Sequence, residues 1–393
     1  MLFLLSPNSP RFQVFVLLNA ELLHFIEHSV SSGIFRENLF TEGEVGKACW
    51  NNSKGNNQKA KNDLTKEKFE KLYIELQKTT EGVRRQLFES IRDNQNLQLF
   101  FSNPNRGILD FLPKTCFEAL KNVTTHLYCS TKDIQAIKDQ AGGVDINAHF
   151  NAFRNDGVNG NICKACGMRE LAPFRAGVQE EEQWRADYDH QLCKSKYPIF
   201  AVHPDNLIPL CDVCNQDAKK AKDLFRDSNS NNRLSFYPYL EEARNFIDID
   251  IERLRDPEPM ISVIWSTMDE ELINKLNTWD EIYEIRSRVE GKLRSLELVV
   301  EDEIHPIDLS DLQEQLIRRA RPIPEATLKR KEWAFWYQKL FYLLSQIDLE
   351  PFEEKLFLFN SKDSMVANIY WVKIKIHSLR SSYLVYVRAV NFA

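Results

Sequence analysis

Two Cys-x-x-Cys pairs, Cys163/Cys166 and Cys211/Cys214, are the residues whose spacing most plainly does chemistry. Each such turn presents two thiolates, and two turns brought together supply the four sulfurs of a tetrahedral zinc site. The other four of the eight cysteines (Cys49, Cys116, Cys129 and Cys193) stand singly. In a chain without an export signal, paired spacing favours zinc over disulfides, the plainer alternative being buried or redox-active thiols. The stretch between the pairs is longer than a minimal zinc ribbon holds, so something folds inside it. It carries Asp187-Tyr188-Asp189-His190, then Lys194-Ser195-Lys196, then Asn206-Leu207-Ile208-Pro209-Leu210, and Asn215 and Lys219-Lys220 follow the last cysteine. A neutral imidazole at His190 can take a proton from water near pH 7. The Asp189 carboxylate and Asn215 amide are hard oxygen ligands suited to Mg²⁺ or Mn²⁺. Asp187 lies two residues before Asp189, on the same face if the segment is a strand, and is a second ligand or a support for the first. Lys194, Lys196, Lys219 and Lys220 are candidate phosphate contacts or simply a solvated face, and Asn215 can equally cap a helix.

Taken together, Cys163-x-x-Cys166, Asp189-His190, Asn206-Leu207-Ile208-Pro209-Leu210-Cys211-x-x-Cys214-Asn215 and the lysines beyond resemble the HNH endonuclease family in its zinc-knuckle form. The resemblance covers about residues 163–225. It implies a ββα-metal fold in which Asp189-His190 ends the first strand, Asn206 sits in the hairpin loop and Asn215 opens the helix. It also implies one-metal phosphodiester hydrolysis. His190 would then be the base and Asp189 and Asn215 the Mg²⁺ or Mn²⁺ ligands; Asn206 would hold the hairpin or the imidazole, and the cysteine-bound zinc would be structural. Two positions differ from related sequences: Cys193 stands where proline is common, and Asn215 where histidine is an alternative. Within the family the module looks most like bacterial restriction and phage-defence nucleases, including a type that works beside an ATPase subunit. The expected substrate is DNA, with RNA an alternative, and the expected partner is an ATPase subunit or a second copy of the chain. The competing class is a zinc-stabilised binding subunit that no longer cuts.

The elements that must hold these residues read as mostly helical. Leu22, Leu23, Phe25, Ile26 and Val30 predict a helix over 21–33 ending at Gly33. Residues 51–62 read as a polar loop, and Phe69 to Leu76 and Val83 to Leu97 as helices with Thr80 an N-cap. Turn formers at Gly142-Gly143, Asn155-Asp156-Gly157 and Asn159-Gly160 predict a boundary. Residues 268–301 read as one long helix or a pair, Ser310 and Gln313 as a capping box, and Trp333 to Leu343 as a further helix. Alternation at Val372, Ile374, Ile376 and at Tyr383, Val385, Val387 predicts a hairpin. The expected class is thus predominantly α, with a helical region 1–140, a small α+β module 141–240, and a helical region 241–393 ending in a hairpin.

At 393 residues the chain is long enough for two or three cores, and 43% hydrophobic with 27% charged residues is a globular composition. A net charge of −6 excludes a general nucleic-acid coating protein, since any phosphate contact must come from a local surface. Acidic and basic residues balance between Cys163 and Arg226, so this stretch is no basic patch; Arg318, Arg319, Arg321, Lys329, Arg330 and Lys331 form a denser basic stretch. The apolar runs near the start lack a basic leader and are broken by Pro7, Asn8, Pro10 and Arg11, which predicts neither a signal peptide nor a spanning helix and a cytoplasmic location.

Overall fold

The computed structural model describes residues 1–31, 33–179, 182–252 and 260–349. The chain is predominantly helical, with two small two-stranded sheets among the described residues. Contacts group it into two compact units. The first comprises Met1–Asp248, Trp265–Ser287 and Ile323–Trp336; the second comprises Ile249–Ile264, Arg288–Pro322 and Tyr337–Ala393.

The first unit begins with α1 (Gln13–His28), whose Val14, Phe15, Leu18, Leu22, Phe25 and Ile26 recur every three or four residues and are all buried. The helix starts and ends earlier than the pattern over 21–33 predicts. Val14, Phe15 and Leu18 continue the same face upstream, and the chain leaves the helix at Ser29, whose hydroxyl donates to the Phe25 carbonyl (2.7 Å). Then come α2 (Glu44–Asn51), the polar loop, α3 (Thr65–Gln77) and α4 (Glu81–Asp93), the last capped by Thr80, which accepts from the Val83 N–H. Short α5 (Leu97–Ser102) precedes α6 (Lys114–Cys129), which packs on α3 and touches the turn Pro198–Phe200. Phe25, Phe40 and Phe69 pack with ring centroids 4.5–5.4 Å apart. Each such fully buried ring contributes roughly 1.5–3 kcal/mol by leaving water. Beyond α7 (Gln135–Gln140), the turn-rich stretch encloses α8 (Ile146–Phe153), opened by Asp145 accepting two backbone N–H groups at 2.8 Å.

Strands β1 (Tyr188–His190) and β2 (Leu207–Pro209) pair antiparallel, with Asp189 opposite Ile208 and His190 opposite Leu207. A wide helical turn, Val213–Lys219, follows; its five-residue bond from the Lys220 N–H to the Asn215 carbonyl gives it π character. The first unit is completed by α9 (Glu270–Tyr283) and α13 (Glu325–Leu328).

The second sheet pairs β3 (Ile247–Glu252) with β4 (Met260–Trp265). The stretch 268–301, expected as one long helix or a pair, forms three: α9, α10 (Ile285–Leu293) and α11 (Leu296–Ile304). Glu284, at φ 54°, ends the first. Helix α12 (Leu309–Arg319) opens at Asp308 rather than at Ser310, because the Asp308 carboxylate accepts the Asp311 N–H (2.8 Å) and places Ser310 inside the first turn. Within the second unit Val299, Val300, Ile304, Leu312, Leu316, Leu340 and Leu344 are buried, the last two on α14 (Ala334–Leu344). The basic stretch is divided: Arg319 pairs with Glu303 in the second unit, and Arg330 with Asp156 in the first. The predicted C-terminal hairpin lies outside the described residues. Among those residues no helix is long and apolar enough to cross a membrane.

Candidate active site and cysteine cluster

The four paired cysteines converge. Their sulfurs all lie within 4.8 Å of one another and all four residues are buried, so the cluster can hold a structural metal such as zinc. The Cys166 and Cys211 sulfurs are 4.0 Å apart. Zinc bonded at about 2.3 Å to each of four sulfurs needs a spacing near 3.8 Å, so little movement closes the tetrahedron. Backbone N–H groups of Met168 and Cys211 point at the Cys166 and Cys163 sulfurs (3.4 and 3.5 Å), as suits thiolates. Burial pushes the Cys163 and Cys214 thiols well up, a cost that a bound cation removes. The first turn needs Gly167. It sits at φ 68°, donates to the Cys163 carbonyl (2.9 Å), and a Cβ there would meet Leu2 at 2.7 Å. Two tryptophans brace the same turn: the Trp279 and Trp336 indole N–H groups donate to the Ala165 and Cys166 carbonyls, each at 2.8 Å.

Between the cysteine pairs, the β1–β2 hairpin and the helical turn line a cavity of about 450 Å³ with Asp187, Asp189, His190, Lys194, Asn215 and Lys220, and α6 adds Tyr128. His190 ends β1. Its Nε2 lies 2.9 Å from the Ala201 carbonyl, which can only accept, so Nε2 carries the proton and Nδ1 the lone pair. Burial, reinforced by Lys194, pushes the imidazole down to about 3, so it is neutral at physiological pH. The Tyr128 ring stands edge-on to it at 4.5 Å between centroids, and its hydroxyl donates to the Tyr188 carbonyl (3.4 Å). Burial raises that phenol to about 12, keeping it a donor.

Asn206 is fully buried and works as a clamp rather than lining the cavity. Its Oδ1 accepts the Leu192 N–H (2.7 Å), and its Nδ2 donates to the Leu192 (3.1 Å) and Phe200 (2.9 Å) carbonyls. Since Phe200 adjoins Ala201, the clamp fixes the carbonyl that orients His190. Asp189 is also buried. Its Oδ1 takes the Lys219 ammonium (2.9 Å) and its Oδ2 the Gln191 amide (2.7 Å), leaving one lone pair on each oxygen. Burial raises its carboxyl against the opposing pull of Lys219. Asn215 donates from Nδ2 to the Asp187 backbone carbonyl (3.4 Å), which leaves its Oδ1 as the amide's acceptor, while the Asp187 carboxylate is largely exposed and takes the Gln216 amide (2.8 Å).

Two of the four lysines predicted to contact phosphate are otherwise engaged. Lys219 is 1% exposed and donates to Asp189 and to the His190 carbonyl (2.7 Å), so it is an internal counter-ion. Lys196 pairs with the buried Asp223 (3.3 Å). Lys194 and Lys220 do line the cavity, Lys194 with its ammonium 5.0 Å from the Tyr128 ring centre. Reading the sequence overlooked Tyr128, Gln191 and the Ala201 carbonyl. Tyr128 is far away in the chain with no motif of its own, whereas Gln191 directly follows His190. Compared with protein-family models, with curated proteins and with solved structures, the chain matches none.

Proposed function

We propose that this chain is a metal-dependent endonuclease of the HNH type that hydrolyses phosphodiester bonds, with DNA as substrate and a structural zinc in the cysteine cluster. The observation that carries the proposal is the state of His190. It is a neutral imidazole whose tautomer is set by the Ala201 carbonyl, at the end of a strand and facing a cavity it shares with Asp189 and Asn215. The donors around that cavity fit a hard divalent cation: the remaining Asp189 lone pairs, the Asn215 Oδ1 and the exposed Asp187 carboxylate are all oxygens. Such a cation, when bound, neutralises charge on the phosphate and acidifies a water. The protein's own work is to take the water's proton at His190 Nδ1, to keep that base neutral by burial, and to offer Lys194 and Lys220 to the flanking phosphates.

Supercoiled plasmid incubated with the purified protein and Mg²⁺ or Mn²⁺ is expected to be nicked or linearised, and His190→Ala to abolish this. A base is active in its deprotonated form, so a residue titrating near 3 leaves cutting without an imidazole step between pH 5.5 and 8. Absence of cleavage of DNA and RNA with either metal, alone or with an ATPase partner, sinks the proposal.

One observation favours a second reading, a zinc-stabilised subunit that binds nucleic acid or protein without cutting: Lys219 already neutralises Asp189. That reading expects nucleic-acid or partner binding unaffected by His190→Ala and by chelation of Mg²⁺.

A further inference from the structure

A second cavity, of about 650 Å³, lies between the loop after α2 and the C-terminal turn of α6. Lys61, Asn62, Lys68, His126 and Ser130 line it, together with Asp63. The single carboxylate is spent: Asp63 Oδ1 takes Lys54 (2.8 Å) and Oδ2 takes Lys71, which holds the acid down at about 2. The nearby Glu67 is equally engaged, accepting the backbone N–H groups of Lys54 (2.8 Å) and Leu64 (3.0 Å). Lys61 and Lys68 therefore face the cavity with no acidic partner among the described residues. The His126 Nε2 is buried with no hydrogen-bond partner, although a polar atom hidden from water without one is costly. Burial, reinforced by the Lys68 charge, pushes that imidazole below its ordinary value.

Two uncompensated ammonium groups, an orphaned ring nitrogen, a hydroxyl and an amide around one cavity match a tetrahedral dianion. We propose that this cavity binds a phosphoryl group, held by Lys61, Lys68 and the His126 Nε2–H. The phosphate belongs either to a free nucleotide or to a nucleic-acid backbone. The site stands independently of the nuclease reading, but it is not remote from the candidate active site. His126 lines this cavity and Tyr128 the other, so the last turns of α6 form a wall common to both.

The test uses the full-length protein with three probes: inorganic phosphate, ATP, and a single-stranded oligodeoxynucleotide. The readouts are the His126 imidazole resonance by NMR and Kd by calorimetry. A bound anion gives Nε2 an acceptor and opposes the Lys68 field, so the His126 pKa is expected to move upward on saturation. The double variant Lys61→Ala/Lys68→Ala is expected to weaken binding tenfold or more, with an unchanged melting temperature because neither lysine makes an ion pair. ATP binding that is lost in the double variant identifies a nucleotide site. Oligonucleotide binding lost in the double variant, without ATP binding, identifies a backbone contact. The proposal is overturned if none of the three probes moves the His126 resonance, or if the double variant binds as the wild type does. The His126 response to inorganic phosphate and to ATP does not depend on DNA cutting, so plasmid cleavage assayed on the same wild-type sample separates failure here from failure of the nuclease reading.

Discussion

Replacing Lys219 by methionine removes the counter-ion of a carboxylate that is 3% exposed. At 2.9 Å the gross attraction between the two charges is about 6 kcal/mol with an effective dielectric constant near 20. Much of this offsets the desolvation of both groups, so the pair as a whole contributes far less. Removing one partner is different, since Asp189 stays buried and keeps only Gln191. Losses of about 3–5 kcal/mol are typical for such half-broken pairs, and Lys219→Met is expected in that range by urea unfolding at pH 7.5. The pH dependence follows from the direction of the shift. Burial already raises the Asp189 carboxyl, and losing Lys219 raises it further. Between the ordinary carboxylate value and the folded one, the folded state holds the proton more tightly, so stability falls as pH rises through that window. The deficit of the variant should therefore shrink at pH 5 and grow towards neutrality. Adding Asp189→Asn to Lys219→Met should restore most of the loss. A single variant within 0.5 kcal/mol of wild type, or a double variant no better than the single one, would refute the internal counter-ion role.

Elemental analysis of wild-type protein is expected to give one zinc per chain, and Cys211→Ser to release it and to abolish cooperative thermal unfolding. Asn206→Ala removes three buried hydrogen bonds; a loss of about 3 kcal/mol in denaturant unfolding is expected, together with a lower His190 pKa by NMR, since the Ala201 carbonyl that favours the protonated ring loosens its hold. Lys194→Ala should leave the melting temperature unchanged, lower plasmid cleavage several-fold and flatten its salt dependence; a cleavage rate equal to wild type at every salt concentration removes Lys194 from the phosphate contacts.

What was legible in the sequence followed the range of the interactions involved. The four clustered cysteines, the hairpin end at His190 and the Asn206 clamp lie within one stretch, where spacing alone brings the groups together. Thr80 and the faces of α3 and α4 were legible for the same reason, since capping and helical periodicity act over one or two turns. Lys219 was misread because a lysine beside Lys220 after a cysteine knuckle looks solvent-exposed. Only the π-type turn, which rotates the chain by one extra residue, turns its ammonium inward to Asp189. Tyr128 was invisible because its role depends on α6 packing against the turn Pro198–Phe200, a contact between distant parts of the chain. The break at Glu284 was hidden because an apolar stripe can cross a left-handed residue without losing its period.

The two indoles that reach the cysteine turn come from Trp279 and Trp336, far beyond the segment that carries the ligands. A gene fragment ending shortly after Lys222 would keep every residue of the motif and still expose the Ala165 and Cys166 carbonyls. The cysteine-bounded segment is therefore not a cassette that can be cut out and grafted elsewhere. In the intact protein the same two indoles are built-in reporters, because a change at the cysteine cluster alters their surroundings and shows directly in the protein's intrinsic fluorescence.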